Sequence, residues 1–392
     1  MTDLTLHGAR LLDATGERSG QLRLAGGTIA AVGPGKASRQ AVDASGFIIT
    51  PGFVDVHTHG GGGFSFQTTA PEEIRAYARW APTTGTTAFL PTLVGVAEGL
   101  PEAELRTSAT AIEDGGPGAE ALGIHLEGPY MNPRRRGAHD VSWLRLPDPA
   151  ISERLLAAAA GHLRLITLAP ELPGAHAAIH RFVAAGTVVS LGHSDATYEQ
   201  ALAAIPLGIT HATHCFNAMP PLLHRAPGAL GAIVECEQIL GELIGDGIHV
   251  QPAAMRVLIR ALGPERTVVI TDALAAAGAA AGTFSLGDQA ARVVDGVARL
   301  ADGTIAGSVL TMDQALRNLV RLVGVPLPSA VAMLTRNPAR SVGVGDRKGL
   351  LAPGYDADLV MLDDALTVQA TLCRGRLAYA TPDWAARLAA LG

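Results

Sequence analysis

Pro51-Gly52-Phe53-Val54-Asp55-Val56-His57-Thr58-His59, with glycines at 60 to 63 behind it, is the stretch from which the rest of the chain can be read. Phe53, Val54 and Val56 favour extended backbone and give a short buried strand. Side chains alternate between the faces of a strand, so His57 and His59 share one face at its C-terminal end. The glycines that follow let another group approach the backbone closely. Two imidazoles so placed form a candidate metal-ligand pair.

From this strand to about residue 345, short apolar segments alternate with helical stretches, the pattern of parallel βαβ units. Strands are expected at 53–57, 86–90, 122–127, 163–169, 187–192, 209–214, 239–245 and 267–272. Helices are expected at 71–82, 150–160, 174–185, 252–262 and 313–323. Eight strands separated by helices close most simply as a (β/α)8 barrel. A doubly wound open sheet is the alternative, but no Gly-x-Gly-x-x-Gly turn follows an early strand. Residues 283–306 read as β-hairpins, too long for an ordinary barrel loop and placed where they can cover the face that carries chemistry.

Residues 1–50 read as all-β, with clean alternation in Gln21-Leu22-Arg23-Leu24 and a turn at Gly26-Gly27. A β fragment this short exposes edges that need partners. Those partners stand at the other end, in a turn and strand from Lys348 to Leu362 and a hairpin from Val368 to Tyr379. The expectation is a small β-sandwich domain built from both termini, 1–50 plus 346–392, around a barrel at 51–345.

Composition narrows the function classes. Hydrophobic residues make up 48% and charged residues 17%, enough for a large core. A net charge of −6 argues against a nucleic-acid or anionic-membrane surface, and Arg134-Arg135-Arg136, the one basic cluster, reads as a solvated loop. Cys215, Cys236 and Cys373 are far apart and lack CxxC spacing, so they read as reduced thiols of a cytoplasmic protein. No secretory signal is expected, and alanine runs such as 157–160 are too short to span a membrane.

In a barrel the chemistry gathers at the C-terminal ends of the strands. The first ends in His57-Thr58-His59, the third in Glu127 before Gly128-Pro129, and the fifth in His193-Ser194-Asp195. The sixth ends in Thr213-His214 and the eighth in Thr271-Asp272. Singly, each has a structural explanation: a turn carboxylate, a loop histidine, a helix cap. Five strands all ending in nitrogen or oxygen ligands point instead to zinc or another divalent transition ion. Asp272, among apolar neighbours, fits a general base that then serves as general acid. His125 is expected to face the barrel interior one layer below, and His211 to point the other way, both as packing or supporting groups.

The segment from Pro51 to Gly60 resembles the opening motif of the amidohydrolase superfamily, as does a barrel flanked by a module from both termini. More specific are Glu127-Gly128-Pro129, Gly137-Ala138-His139, Leu191-Gly192-His193-Ser194 and Thr213 to Met219. Asp246-Gly247-Ile248-His249, Thr271-Asp272-Ala273 and Gly307 to Met312 complete an ordered set that spans nearly the whole chain. That set resembles the family of N-acetylglucosamine-6-phosphate deacetylases. The resemblance implies metal-dependent removal of the acetyl group from N-acetylglucosamine 6-phosphate, releasing acetate. N-acetylgalactosamine 6-phosphate or another N-acyl amino sugar is the alternative substrate. A deaminase on the same barrel would release ammonia, and a non-catalytic scaffold would have no reason to keep the ligands.

By the same resemblance, Glu127, His193 and His214 match the main metal site, and His57 and His59, with Glu127 bridging, match the second site of two-metal members. One or two ions fit, zinc foremost, with iron, cobalt, manganese or cadmium as alternatives. Asp272 matches the proton-transferring acid, and His139 the group that helps polarise the acetamide carbonyl. Ala138, Asn217, Ala218, His249, Ile305, Ala306 and Gly307 match substrate contacts. Arg225 matches a phosphate-binding arginine supplied across a homodimer interface, a role suited to a planar donor fork. Many two-metal relatives bridge their ions with a carboxylated lysine ending strand four. Here that strand ends Thr167-Leu168-Ala169-Pro170-Glu171, and no lysine stands between 36 and 348, which excludes the lysine-bridged cyclic-amide hydrolases.

Overall fold

The computed structural model describes residues 4–34, 41–279 and 282–389. Eight parallel strands form the barrel: β1 (Phe53–Thr58), β2 (Thr86–Leu93), β3 (Ile124–Glu127), β4 (Leu163–Leu168), β5 (Val188–Leu191), β6 (Ile209–Ala212), β7 (Leu240–Ile244) and β8 (Thr267–Ile270). Each pairs with its successor in parallel register. The seam between β8 and β1 is closed just past the regular ladder, where the Asp272 N–H donates to the His57 carbonyl at 2.9 Å and the His59 N–H to that of Ala273 at 2.8 Å. The barrel foreseen from the alternation of apolar segments is therefore the observed architecture.

Alternation decides what each strand side chain meets. Val54, Ala88, Leu90, Leu165, Val268 and Ile270 pack together in one buried cluster. Phe53, Phe89, Ile166 and Val269, one residue away, join another with helical residues such as Ile74, Tyr77, Ile179 and Phe182. The helices at 71–80, 149–158, 175–184 and 252–262 match those read from the sequence, and 313–323 is observed as an α-helix (Met312–Asn318) running into a π turn (Leu319–Val323). Helices at 102–114, 198–204, 228–235, 327–334, 336–341 and 382–389 complete the described set.

Both termini contribute to one eight-stranded sheet, where Leu359–Leu362 pairs antiparallel with Ile48–Pro51 and the latter runs parallel to Leu4–Asp13. Its own core includes Leu6, Leu22, Ile49, Met361, Leu372 and Trp384. Gly52 links this sheet to β1 under tight constraint, because a Cβ there would lie 2.0 Å from the Thr87 hydroxyl. Arg347 and Lys348 tie the sheet to the barrel through Glu120, which lies just ahead of β3. The 283–306 segment forms a three-stranded sheet (Thr283–Leu286, Gln289–Val294, Val297–Arg299). It reaches the barrel mouth through Gln289, whose side-chain amide donates to the Ala138 carbonyl at 2.6 Å.

Candidate active site

Glu127, the last residue of β3, stands at the centre of the barrel mouth. His193 and His214 bring their Nε2 atoms within 3.0 Å of each other and to 3.0 and 3.1 Å from Glu127 Oε1. His57 Nε2 lies 3.5 Å from the same oxygen, and His59 Nε2 lies 3.4 Å from Glu127 Oε2. Asp272 Oδ1 completes the group at 3.2 Å from His59 Nε2 and 3.5 Å from His57 Nε2. His139 approaches from the loop after β3, its Nε2 3.2 Å from Glu127 Oε2. All of these side chains are buried.

The outer nitrogens of three rings define their tautomers. His193 Nδ1 donates to the Arg135 carbonyl at 2.8 Å, His59 Nδ1 to the Thr92 carbonyl at 3.2 Å, and His57 Nδ1 to Glu242 Oε2 at 2.9 Å. Carbonyl and carboxylate oxygens only accept, so each Nδ1 carries a hydrogen and the neutral ring presents a bare Nε2 lone pair. Those lone pairs all face carboxylate oxygens, which repel them unless a positive charge sits between. The buried His57 Nε2 has no hydrogen-bond partner. Imidazole and carboxylate donors converging in this way fit a divalent transition ion, and both His57–His59–Glu127 and Glu127–His139–His193 are close enough to hold one.

The electrostatics express the same demand. Burial favours neutral Asp272, but the neighbouring His57 and His59 hold its carboxyl down at about 2. Burial pulls His59 down, yet Asp272 and Glu127 raise it to about 9. His57 is likewise raised against burial, by Glu242, Glu127 and Asp272. His193, dominated by burial, falls to about 4. Protons on some of these rings balance the clustered carboxylates, and a cation can take over that balance.

Local backbone explains how the candidate ligands and Asp272 reach the axis. His193 (φ 48°), His214 (φ 27°) and Asp272 (φ 49°) all sit in the left-handed region just past the ends of β5, β6 and β8. Such conformations are costly for non-glycine residues and cluster at functional sites. One orientation differs from the sequence expectation. His211 does not point away from the site: its ring nitrogen Nδ1 lies 3.3 Å from Ser190 Oγ and 3.6 Å from Glu242 Oε1, inside the barrel. Counting alternation back from His214 fails because β6 ends at Ala212 and His214 has left the strand. His125 faces inward as expected, between Thr92 Oγ1 and Thr167 Oγ1.

Above the cluster lies a cavity of about 340 Å3. Its wall includes His59, Glu127, His193, His214 and Asp272, together with Ala138, His139, Asn217, Ala218, His249, Ile305 and Gly307. Ala306 is fully buried behind that wall, and Arg225 lies exposed on the 220–226 loop outside it. Asp246 Oδ2 accepts from His249 Nδ1 at 2.6 Å and raises that imidazole against the pull of burial. A larger cavity of about 720 Å3 between the terminal sheet and the barrel contains none of these groups.

Sequence reasoning gave no site role to Glu242, Thr92 or Asp55, nor to Ile244, Ile248, Leu286 and Thr304 of the cavity wall. Glu242 left a legible signal, a carboxylate in the middle of the apolar strand Leu240-Gly241-Glu242-Leu243-Ile244. Asp55 is buried beside Thr271, whose hydroxyl donates to it at 2.6 Å, and burial pushes its carboxyl up to about 7.

Barrel and site together define a hydrolase-type centre in which histidines and carboxylates meet at the strand ends. The amidohydrolase family matches residues 48–379, and the chain belongs to that family. N-acetylgalactosamine-6-phosphate deacetylase of Escherichia coli O157:H7 is 40% identical over 358 residues, 91% of this chain and 94% of that protein. N-acetylglucosamine-6-phosphate deacetylase of Lysinibacillus sphaericus is 35% identical over 340 residues, 87% of this chain and 88% of that one. Among solved structures, a mutant N-acetyl-D-glucosamine-6-phosphate deacetylase from Mycobacterium smegmatis, in complex with N-acetyl-D-glucosamine-6-phosphate, is 39% identical with a TM-score of 0.91. That match covers 97% of this chain and 100% of that one. No described helix is long and apolar enough to cross a membrane.

Proposed function

We propose that this chain removes the acetyl group from N-acetylglucosamine 6-phosphate, yielding glucosamine 6-phosphate and acetate. The convergence of Glu127, His193 and His214 beneath a cavity of about 340 Å3 carries the reading, and the names of its relatives supply the substrate. The 40% identity to a relative named N-acetylgalactosamine-6-phosphate deacetylase makes the 4-epimer the second substrate to test.

Zinc is the ion we assign; Glu127, His193 and His214 would hold one, and His57 and His59 together with Glu127 would hold a second. A bound ion of this kind polarises a carbonyl and lowers the pKa of water to about 7. Asp272 Oδ1, ionised and 3.2 Å from His59 Nε2, takes the proton of the attacking water and returns it to the departing amine. His139 donates towards the acetamide oxygen. Asn217, Ala218 and His249 orient the sugar, with Ile305 and Gly307 in the same wall and buried Ala306 between them as backing. Arg225, exposed in the single chain, reaches the phosphate of the partner protomer's substrate in a homodimer. The proposal includes two folding units, 1–50 plus 346–392 and 51–345, and a cytoplasmic setting in keeping with three free cysteines.

Acetate release is the test, on metal-quantified protein with the 6-phosphates of N-acetylglucosamine and N-acetylgalactosamine beside unphosphorylated N-acetylglucosamine. Turnover of neither phosphosugar, or ammonia without acetate, refutes the reading.

A further inference from the structure

Glu242 lies inside the barrel below the proposed ligands and is fully buried. Its Oε2 accepts two hydrogen bonds, from His57 Nδ1 at 2.9 Å and from the His214 backbone N–H at 3.0 Å. Its Oε1 has no hydrogen-bond partner. Burying a carboxylate on an apolar strand is costly unless the charge has a task, and packing alone is better served by an aliphatic side chain.

We infer that Glu242 is a positioning residue for the metal centre. It locks the His57 ring with Nδ1 protonated and Nε2 turned toward Glu127 and Asp272. It also joins the His57–His59 half of the centre to the His193–His214 half through a single oxygen. The inference rests on the two-ion reading proposed above.

The two halves depend on Glu242 unequally. The His57 Nδ1–H has its hydrogen bond to Glu242 as ring anchor, whereas His193 is anchored by the Arg135 carbonyl and His59 by that of Thr92. His214 is held by Glu242 through its backbone, and that backbone keeps further support. The Thr213 N–H bonds the Leu191 carbonyl at 2.9 Å, and the Asn217 N–H bonds the His214 carbonyl at 2.9 Å. Loss of the Glu242 carboxylate should therefore loosen the ion held by His57 and His59 first. Groups that orient a ligand histidine are typically worth about 10–100-fold in metal affinity.

The test compares the full-length wild type with Glu242→Gln and Glu242→Leu. Each protein is stripped, reloaded with zinc, checked for folding by circular dichroism and titrated against a chromophoric chelator. Ring-nitrogen NMR of 15N-histidine-labelled, zinc-loaded protein reports the His57 Nδ1–H. The expected result is two ions in the wild type, with one of them weakened about 10–100-fold in Glu242→Gln and the other unchanged. Glu242→Leu should lose that ion and shift the His57 Nδ1–H resonance; if this variant does not fold, Glu242→Gln decides the matter. Two ions bound as tightly as in the wild type, or both weakened alike, overturn the inference. A wild type that binds one ion refutes the two-ion reading instead. Glu242 is then judged on the ring alone, and a His57 Nδ1–H resonance unchanged in the variants overturns its role.

Discussion

Lys348→Met should lower stability without touching turnover. The Lys348 ammonium is buried at the joint between terminal sheet and barrel, 2.8 Å from Glu120 and Asp356 and 2.6 Å from Asp358. Methionine keeps much of the chain length and removes the charge. Glu120 and Asp356 retain Arg347, but among the described residues the buried Asp358 carboxylate keeps only the Arg374 backbone N–H, at 2.7 Å. Stranding a buried charge costs about 3–5 kcal/mol, and the surviving contact argues for the lower end. An unfolding entropy near 2.1 cal/mol/K per residue gives the 392-residue chain about 0.8 kcal/mol/K, so about 3 kcal/mol corresponds to a fall of about 4 °C in Tm. Lys348→Met/Asp358→Asn should recover most of that loss, because the stranded charge is gone. Acid should narrow the gap between wild type and variant. Burial opposes ionisation of Glu120, but Arg347 and Lys348 hold it down at about 2, so its stabilisation is present above about 4.5 and fades as pH falls toward 2. Asp358 is raised by burial despite Lys348, so its protonation in acid relieves the variant. The assay is differential scanning calorimetry from pH 7 down to 3, with acetate release at 25 °C beside it. A Tm within 1 °C of wild type, or a double variant no better than the single one, refutes the ion-pair account.

At the site itself, Asp272→Asn keeps the shape and removes the base, so kcat should fall about 10²–10⁴-fold while zinc content by elemental analysis stays near wild type. An unchanged kcat would remove Asp272 from proton transfer. Arg225→Ala should raise KM for the phosphorylated sugar more than for N-acetylglucosamine, and equal losses on both would show that the guanidinium is not the phosphate contact. Exhaustive chelation should abolish acetate release and added zinc restore it, whereas full activity in protein shown to be metal-free would refute the metal-dependent reading.

The barrel was legible because strand and helix periodicities alternate and because parallel strands are apolar on both faces. Expected and observed strand limits agree to within a few residues, as at 163–169 against Leu163–Leu168. The candidate ligands could be picked out because strand ends concentrate polar groups in an otherwise apolar pattern. What escaped were positions whose meaning lies across the barrel. Glu242 reads locally as a charge in a strand, and only the closed sheet brings it to His57, 185 residues away. Thr92 acts on His59 through its backbone carbonyl, which any residue type would supply. The orientation of His211 escaped for another reason, since strict alternation was carried past the end of β6.

That end effect also explains why the candidate site groups stand where they do. A regular strand can aim only every second side chain at the axis, and neighbouring strands are staggered, so residues still on a strand, such as His57 and Glu127, stand at depths the lattice fixes. Leaving the strand in a left-handed turn frees His193, His214 and Asp272 from that lattice. The cost, about 1–3 kcal/mol for each such residue, must be offset by contacts that hold the turn. Those contacts are present: the Cys215 N–H bonds the Glu242 carbonyl at 2.9 Å, and the Ser308 N–H bonds the Asp272 carbonyl at 2.7 Å. Glu242 thus supports His214 through its main chain as well as its carboxylate, while the Asp272 N–H on the His57 carbonyl, 2.9 Å away, couples the proposed base to a proposed ligand across the seam. Barrel closure and assembly of the site are for this reason one structural event, since the bonds that join β8 to β1 are also those that set Asp272 against His57 and His59.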